Sequence, residues 1–364
     1  MPRRVVFLAL APLVVLAGAV GVARVSRRND DEPQLRLQRL ADSVVDAGVP
    51  GTIALLRDDS HTWSAAAGVA DRESGERVQP SERFRIGSIT KTMVAVVVLQ
   101  LADEGKLHLD DPVGTWLGGL VPAEGITIRD LLAHTSGLAD YTDDDFIRLA
   151  PRWRPRRLAK YAVRRPRLCS RQCGFAYAST NYVLLGLIVE AAGGATLAVQ
   201  LRRRIFEPLR LRSTSFSLSP PTGRYVHGYR VAAHQGVVTH SLTDVSGKSA
   251  AGAWAAGAVV SSAHDVASFF AALLQGRLLP RRLLAAMRTP TRESHHYGLG
   301  LAIFETPCGD AWGHTGNING HVTAAWNTRD GSRQLVIFAN AYPLAAEADD
   351  AFRRALVDAF CSED

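Results

Sequence analysis

Ser88 and Lys91 stand three residues apart at the head of an apolar run, Arg85-Ile-Gly-Ser-Ile-Thr-Lys-Thr-Met-Val-Ala. On a helix this spacing puts both side chains on one face, one turn apart. A serine hydroxyl is a weak nucleophile at neutral pH and needs a partner that takes its proton. A lysine can be that partner when burial or nearby positive charge depresses its pKa. Gly87-Ser88 at the start of a buried helix also aims backbone N–H groups at the reacting carbonyl, a usable oxyanion site. The chain has four lysines, Lys91, Lys106, Lys160 and Lys248, and only Lys91 follows a Ser or Thr by three. Alone, the pair reads more readily as an N-cap serine beside a surface lysine.

Three further stretches supply what this pair lacks. Tyr177, in Phe175-Ala-Tyr-Ala-Ser-Thr-Asn, precedes a helix starting near Asn181; its phenol can pass a proton to a leaving group if Lys91 lowers its pKa. His314, in Trp312-Gly-His-Thr-Gly-Asn, offers an imidazole that can bond the tyrosine or serine oxygen and titrate near neutrality. Trp254-Ala-Ala-Gly-Ala-Val-Val-Ser-Ser has the small residues of a close-packed wall beside a cleft. Each stretch also has a plain structural reading: a buried tyrosine tip, a turn histidine, a packed core strand. His134, in Ala133-His-Thr-Ser-Gly-Leu, is read as structural.

The elements that must position these residues follow from periodicity. Leu35, Leu37, Leu40, Val44 and Val45 recur at helical spacing. Gly51–Leu56 and Thr62–Gly68 read as strands about a polar turn, and the Ser88 helix ends near Glu104-Gly105. Residues 109–240 carry mostly short helical patterns and turns. Strands return at Ala256–Ser261, Gly298–Phe304, His321–Trp326 and Gln334–Asn340, and a helix closes the chain from about Ala345 to Phe360. The expected organisation is α/β: a sheet lobe from 33–108 and 241–364, and an all-helical lobe, 109–240, inserted into it.

Composition sets the frame. At 364 residues, 47% hydrophobic and 21% charged, the chain can bury a sizeable core, and a net charge of +7 demands no nucleic acid. Gly247-Lys248-Ser249 lacks the glycine five residues earlier that a phosphate loop needs. Arg3 and Arg4 precede nineteen uncharged residues, Val5–Ala23, followed by Arg24, Arg27 and Arg28. Residues 1–30 are read as an export signal or membrane anchor, which places the protein outside the cytoplasm. The four cysteines, Cys169, Cys173, Cys308 and Cys361, allow three pairings. Cys169 and Cys173 are close enough for a local bridge, leaving Cys308 with Cys361; free thiols are the alternative, and the spacing is a poor zinc set. Arg152–Arg171 holds nine Lys or Arg and no acid. It reads as a solvated face or as a contact with anionic cell-wall polymer or lipid headgroups.

Ser88-Ile-Thr-Lys91, Tyr177-Ala-Ser179 and His314-Thr-Gly316 come in the order and spacing of the three motifs of penicillin-recognising serine hydrolases. From about residue 35 to 361 the chain resembles this superfamily of class C β-lactamases, D-alanyl-D-alanine carboxypeptidases and related esterases. The resemblance is strongest to the secreted serine carboxypeptidases, through Leu131-Leu-Ala-His-Thr-Ser-Gly-Leu and Phe206-Glu-Pro-Leu. It implies a five-stranded antiparallel sheet with helices on both faces and a helical lobe, a Cys308–Cys361 disulfide, and no metal or organic cofactor. The implied roles are Ser88 as nucleophile, Lys91 and Tyr177 as proton carriers, and His314 as support for the tyrosine. The Ser88 and Asn317 amides form the oxyanion site, and Ser179, Thr315, Gly316, Asn317 and Trp254 line the substrate site. The implied substrate is a cell-wall D-Ala-D-Ala peptide, with an ester or a β-lactam as rivals and an idle penicillin- or cell-wall-binding module as the non-enzyme alternative. A monomer is expected. Two departures bear on this: the second motif ends in Ser179 where asparagine is usual, and the arginine and threonine that hold a substrate carboxylate are replaced by Ala302 and Asn317.

Overall fold

The computed structural model describes residues 32–120, 125–143, 154–168, 174–234, 237–292 and 294–362. The export segment and the Cys169–Cys173 pair lie outside them, as do the ends of the basic run. Helix α1 covers residues 32–46. Strands β1 (Gly51–Arg57) and β2 (Thr62–Gly68) form a hairpin, and β3 (Arg83–Arg85) leads into α2 (Ile89–Asp103). Then come α3 (Val113–Trp116), α4 (Ile128–Ala133), α5 (Pro155–Ala162), α6 (Ser179–Gly193) and α7 (Leu197–Leu201). Strands β4 (Ser215–Phe216), β5 (Tyr229–His234), β6 (Val237–Asp244) and β7 (Val259–Ser262) precede α8 (Ala263–Leu274) and α9 (Arg281–Arg288). The chain closes with β8 (Ala302–Thr306), β9 (Gly309–Ile318), β10 (His321–Asn327), β11 (Gln334–Ala339), β12 (Ala341–Tyr342) and α10 (Ala346–Phe360).

The main sheet is antiparallel, in the order β2-β1-β11-β10-β9-β8. It has six strands rather than the expected five. The expected strand over 256–261 is instead β7, which pairs with β3 and β4 in a small separate sheet. The stretch carrying His314 is itself a full strand, β9. Its glycines hid the apolar alternation, and they are required: a Cβ on Gly313 would run into the Ala325 carbonyl, and one on Gly316 into that of Ile86. The region read as all-helical also holds β4 and the β5–β6 hairpin, whose edge is joined in parallel by β12.

Each face of the sheet buries its own core. Leu37, Val44, Phe352, Leu356 and Phe360 of α1 and α10 cover one face with Leu56, Leu335 and Ile337. Phe338, Val336 and Ile53 face the larger core, shared with α2, α6 and α8. Twelve of the fifteen residues of α2 are buried, as are the first eleven of α6. Helices apolar on all sides belong in an interior. Cys308 in the β8–β9 turn is bonded to Cys361 at the end of α10.

Candidate active site

Ser88 lies at the N-terminus of α2, but its side chain makes no capping bond. Its hydroxyl is 2.9 Å from Lys91 Nζ, which also donates to the Ala256 carbonyl at 3.0 Å. Lys91 is fully buried, so the surface-lysine reading fails. Burial lowers its pKa to about 7, opposed by the Asp140 carboxylate. Its amine sits 4.9 Å from the Tyr177 ring centre and 5.8 Å from that of Tyr182. A lysine poised near neutrality and touching a serine oxygen can act as that serine's base.

Tyr177 is 37% exposed, yet its hydroxyl is desolvated beside Ser88. Burial pushes the phenol's pKa up, the neighbouring Ser88 hydroxyl opposes this, and Asp140 adds to the rise. The direction is opposite to the sequence expectation. Lys91 is itself near its neutral point, so its charge cannot offset the desolvation. A phenol that keeps its proton is a donor or relay rather than a base.

His314 is placed otherwise than expected. Its Nδ1 bonds the Thr315 carbonyl and its Nε2 the Tyr297 hydroxyl at 3.1 Å. Both ring nitrogens are thereby taken, and its ring centre is 6.2 Å from that of Tyr177. Burial, with Lys91 adding, lowers its pKa to about 3, so it does not titrate near neutrality. The imidazole is neutral, donating to Thr315 and accepting from Tyr297.

Strand β9 runs against the Ser88 turn. A Cβ on Gly87 (φ +52) would stand 2.7 Å from the Asn317 nitrogen, and one on Gly316 would stand 2.9 Å from the Ser88 nitrogen. Only glycines allow that approach, which brings the Ser88 and Asn317 amides to the same end of α2. The side chains alternate: His314 and Gly316 are buried, Thr315 and Asn317 exposed. Ser179 opens α6 and is 7% exposed. Trp254 does not line a cleft. It is 3% exposed, in the left-handed region (φ 36), with its ring against Gly186 of α6. Its turn serves the site through the Ala256 carbonyl.

Sequence reasoning passed over Tyr297, Tyr182 and Asp140, and read His134 as structural. The rings of His134 and Tyr297 are 5.0 Å apart, and His134 lies 4.3 Å from Tyr177 and 5.2 Å from Tyr182. Asp140 is half-buried, between Ala139, whose carbonyl accepts from Thr180 of α6, and Tyr141, whose hydroxyl donates to Gly252 before Trp254. The only available signal was a histidine and an acid close after α4. Elsewhere, ligand atoms of Asp71, His227 and Asp244 lie within 4.8 Å of one another. They are already hydrogen-bonded: His227 to Asp244 at 2.9 Å, and the carboxylates to nearby backbone N–H groups.

The chain is similar to known proteins over most of its length. The D-stereospecific amidohydrolase from Streptomyces sp. superposes with a TM-score of 0.81 at 33% identity, covering 91% of this chain and 99% of that one. Penicillin-binding protein 4* of Bacillus subtilis is 27% identical over 85% of this chain and 71% of its own length. Esterase EstB of Burkholderia gladioli is 33% identical over 47% of this chain, which spans about half (48%) of the esterase. The beta-lactamase family matches residues 37–359, and the chain belongs to that family of serine hydrolases.

Proposed function

We propose that the protein is an exported serine hydrolase that opens amides or esters whose reacting end carries no free carboxylate, such as amides or esters of D-amino acids. The observation that carries this is the Ser88–Lys91 contact, a fully buried amine 2.9 Å from the serine hydroxyl, with the Tyr177 ring 4.9 Å from the same amine. Lys91 Nζ takes the Ser88 proton as Oγ attacks the carbonyl carbon. The oxyanion is held by the Ser88 and Asn317 amides. Tyr177 passes its proton to the leaving nitrogen or oxygen as the Lys91 ammonium returns the Ser88 proton to the phenol oxygen, so that both groups regain their starting protonation. Water then repeats the sequence on the acyl-enzyme, releasing the acid and restoring Ser88.

Two features favour an uncharged reacting end. Ala302 and Asn317 stand where related carboxypeptidases place an arginine and a threonine, and the half-buried Asp140 carboxylate opposes a second anion. Losing a charge-assisted bond to carboxylate costs about 1.5–3 kcal/mol, ten- to a hundredfold in binding. The Streptomyces amidohydrolase and the Burkholderia esterase are in keeping with this reading. A D-Ala-D-Ala carboxypeptidase is the second reading, favoured by the penicillin-binding relative.

One preparation should be assayed with D-phenylalanine amide, a D-amino-acid p-nitrophenyl ester, a D-Ala-D-Ala stem peptide and nitrocefin, with Ser88→Ala as control. Amide or ester turnover at least tenfold above the peptide is expected. Faster peptide turnover would reinstate the carboxypeptidase, and no turnover of any would leave an idle binding module. Export rests on residues 1–30, and full-length protein confined to the cytosol on fractionation would refute it.

A further inference from the structure

We infer that His134 is a positioning residue that sets the Tyr177 phenol against Ser88. The inference deepens the hydrolase reading above and rests on it. His134 follows α4 in a left-handed conformation (φ 58, ψ 35) and is fully buried. It grips the chain on both sides of Tyr177. Its carbonyl accepts the Ala176 N–H at 2.9 Å, and its Nδ1 accepts the Ala178 N–H at 3.1 Å. Its ring lies 4.3 Å from the Tyr177 ring at a tilt of 31°. Backbone and ring of the tyrosine are therefore located by one residue.

The tautomer follows from the neighbours. The Asn181 side-chain oxygen accepts from Ser136 Oγ at 2.6 Å, which turns its NH2 group toward His134 Nδ1 at 3.0 Å. With two donors aimed at Nδ1, that nitrogen is an acceptor and the ring proton sits on Nε2. Nε2 is buried without a hydrogen-bond partner among the described residues. An apolar residue of the same size would avoid that orphaned N–H, and a glycine would relieve the left-handed backbone. A histidine here carries both penalties. What it gains is an acceptor at the peptide bond immediately after Tyr177, which neither substitute supplies.

The experiment is stopped-flow acylation by a D-amino-acid p-nitrophenyl ester, in wild type, His134→Asn and His134→Leu, each alone and with Tyr177→Phe. Asparagine tolerates the left-handed region and keeps an acceptor near Nδ1; leucine fills the space without one. His134→Asn should stay within about fivefold of wild type. His134→Leu should lose at least thirtyfold in acylation rate with KM moving less than threefold, and should cost under threefold when Tyr177 is already Phe. Should the leucine variant fail to fold, His134→Gln carries the same comparison, its acceptor displaced outward, with a loss like that of leucine expected. Equal rates for the Asn variant and the Leu or Gln variant, or the same loss with and without the Tyr177 hydroxyl, would overturn the inference while leaving the hydrolase reading intact. A wild type that is never acylated would overturn both.

Discussion

The chemistry turns on Lys91 being neutral when Ser88 attacks. With its pKa near 7, the amine carries a proton in acid and loses it through neutrality. Acylation should therefore rise with pH along a single-proton curve with its midpoint near pH 7, measured by burst kinetics from pH 5 to 9. A flat profile would remove Lys91 as the base. Lys91→Met should cut acylation by about 10²–10⁴-fold, the usual worth of a general base. The same group bears on stability. Because its folded pKa is lowered from 10.5, the unfolded chain binds more protons between about pH 7 and 10.5, so stability rises with pH across that window. Lys91→Met should abolish that rise in urea titrations. The Ser88–Lys91 pair was legible in the sequence because a three-residue spacing on a helix fixes proximity locally. The surroundings of His314 were not. Its partner Tyr297 is seventeen residues away across a turn and two strands, and only the fold decides which oxygen that imidazole meets. Nor does sequence show that a buried phenol rises in pKa when its neighbouring amine is near neutral.

At the level of elements, the site is a junction between the start of α2 and the C-terminal end of β9, and glycines set how close they come. Gly316→Ala would push β9 away from the Ile86 carbonyl and displace the Asn317 amide. Losing one oxyanion donor costs about 10²–10³-fold in rate. Acylation by an activated ester should fall by that factor in Gly316→Ala, with Ser88 still labelled slowly; an unchanged rate would show that the Asn317 amide takes no part. The loop bearing His134 depends on α4, which starts with a reciprocal cap between Thr127 and Asp130. Thr127→Ala should lower stability by about 1 kcal/mol in urea unfolding. Such caps are readable from sequence, as is α2 with its unbroken apolar run. Strand β9 was not, because glycines needed for close approach erase the alternation by which a strand is recognised. The strand at Val259–Ser262 was seen, but its sheet was not, since strand pairing is decided at long range.

Across the whole molecule, the main sheet separates two cores, and the disulfide belongs to the one away from the chemistry. Cys308 and Cys361 join the β8–β9 turn to the end of α10, on the face covered by α1 and α10. Ser88 and Lys91 belong to α2, in the opposite core. The cross-link closes a loop with a sequence separation of 53, which constrains the unfolded chain by about 4 kcal/mol in the chain-entropy treatment. Stability and chemistry should accordingly come apart. Cys308→Ser with Cys361→Ser should unfold at markedly lower denaturant, with the fall in free energy approaching that figure. Below its transition the variant should still be acylated at Ser88 with the wild-type rate and stoichiometry. Parallel denaturant titration and burst kinetics on the same samples check both halves. Slow acylation in a fully folded, bridge-free protein would mean that the sheet transmits strain from its outer face to β9, and that the two cores act as one. An unchanged midpoint would mean that packing of Phe352, Leu356 and Phe360 on the sheet already holds α10, leaving the bridge little to add.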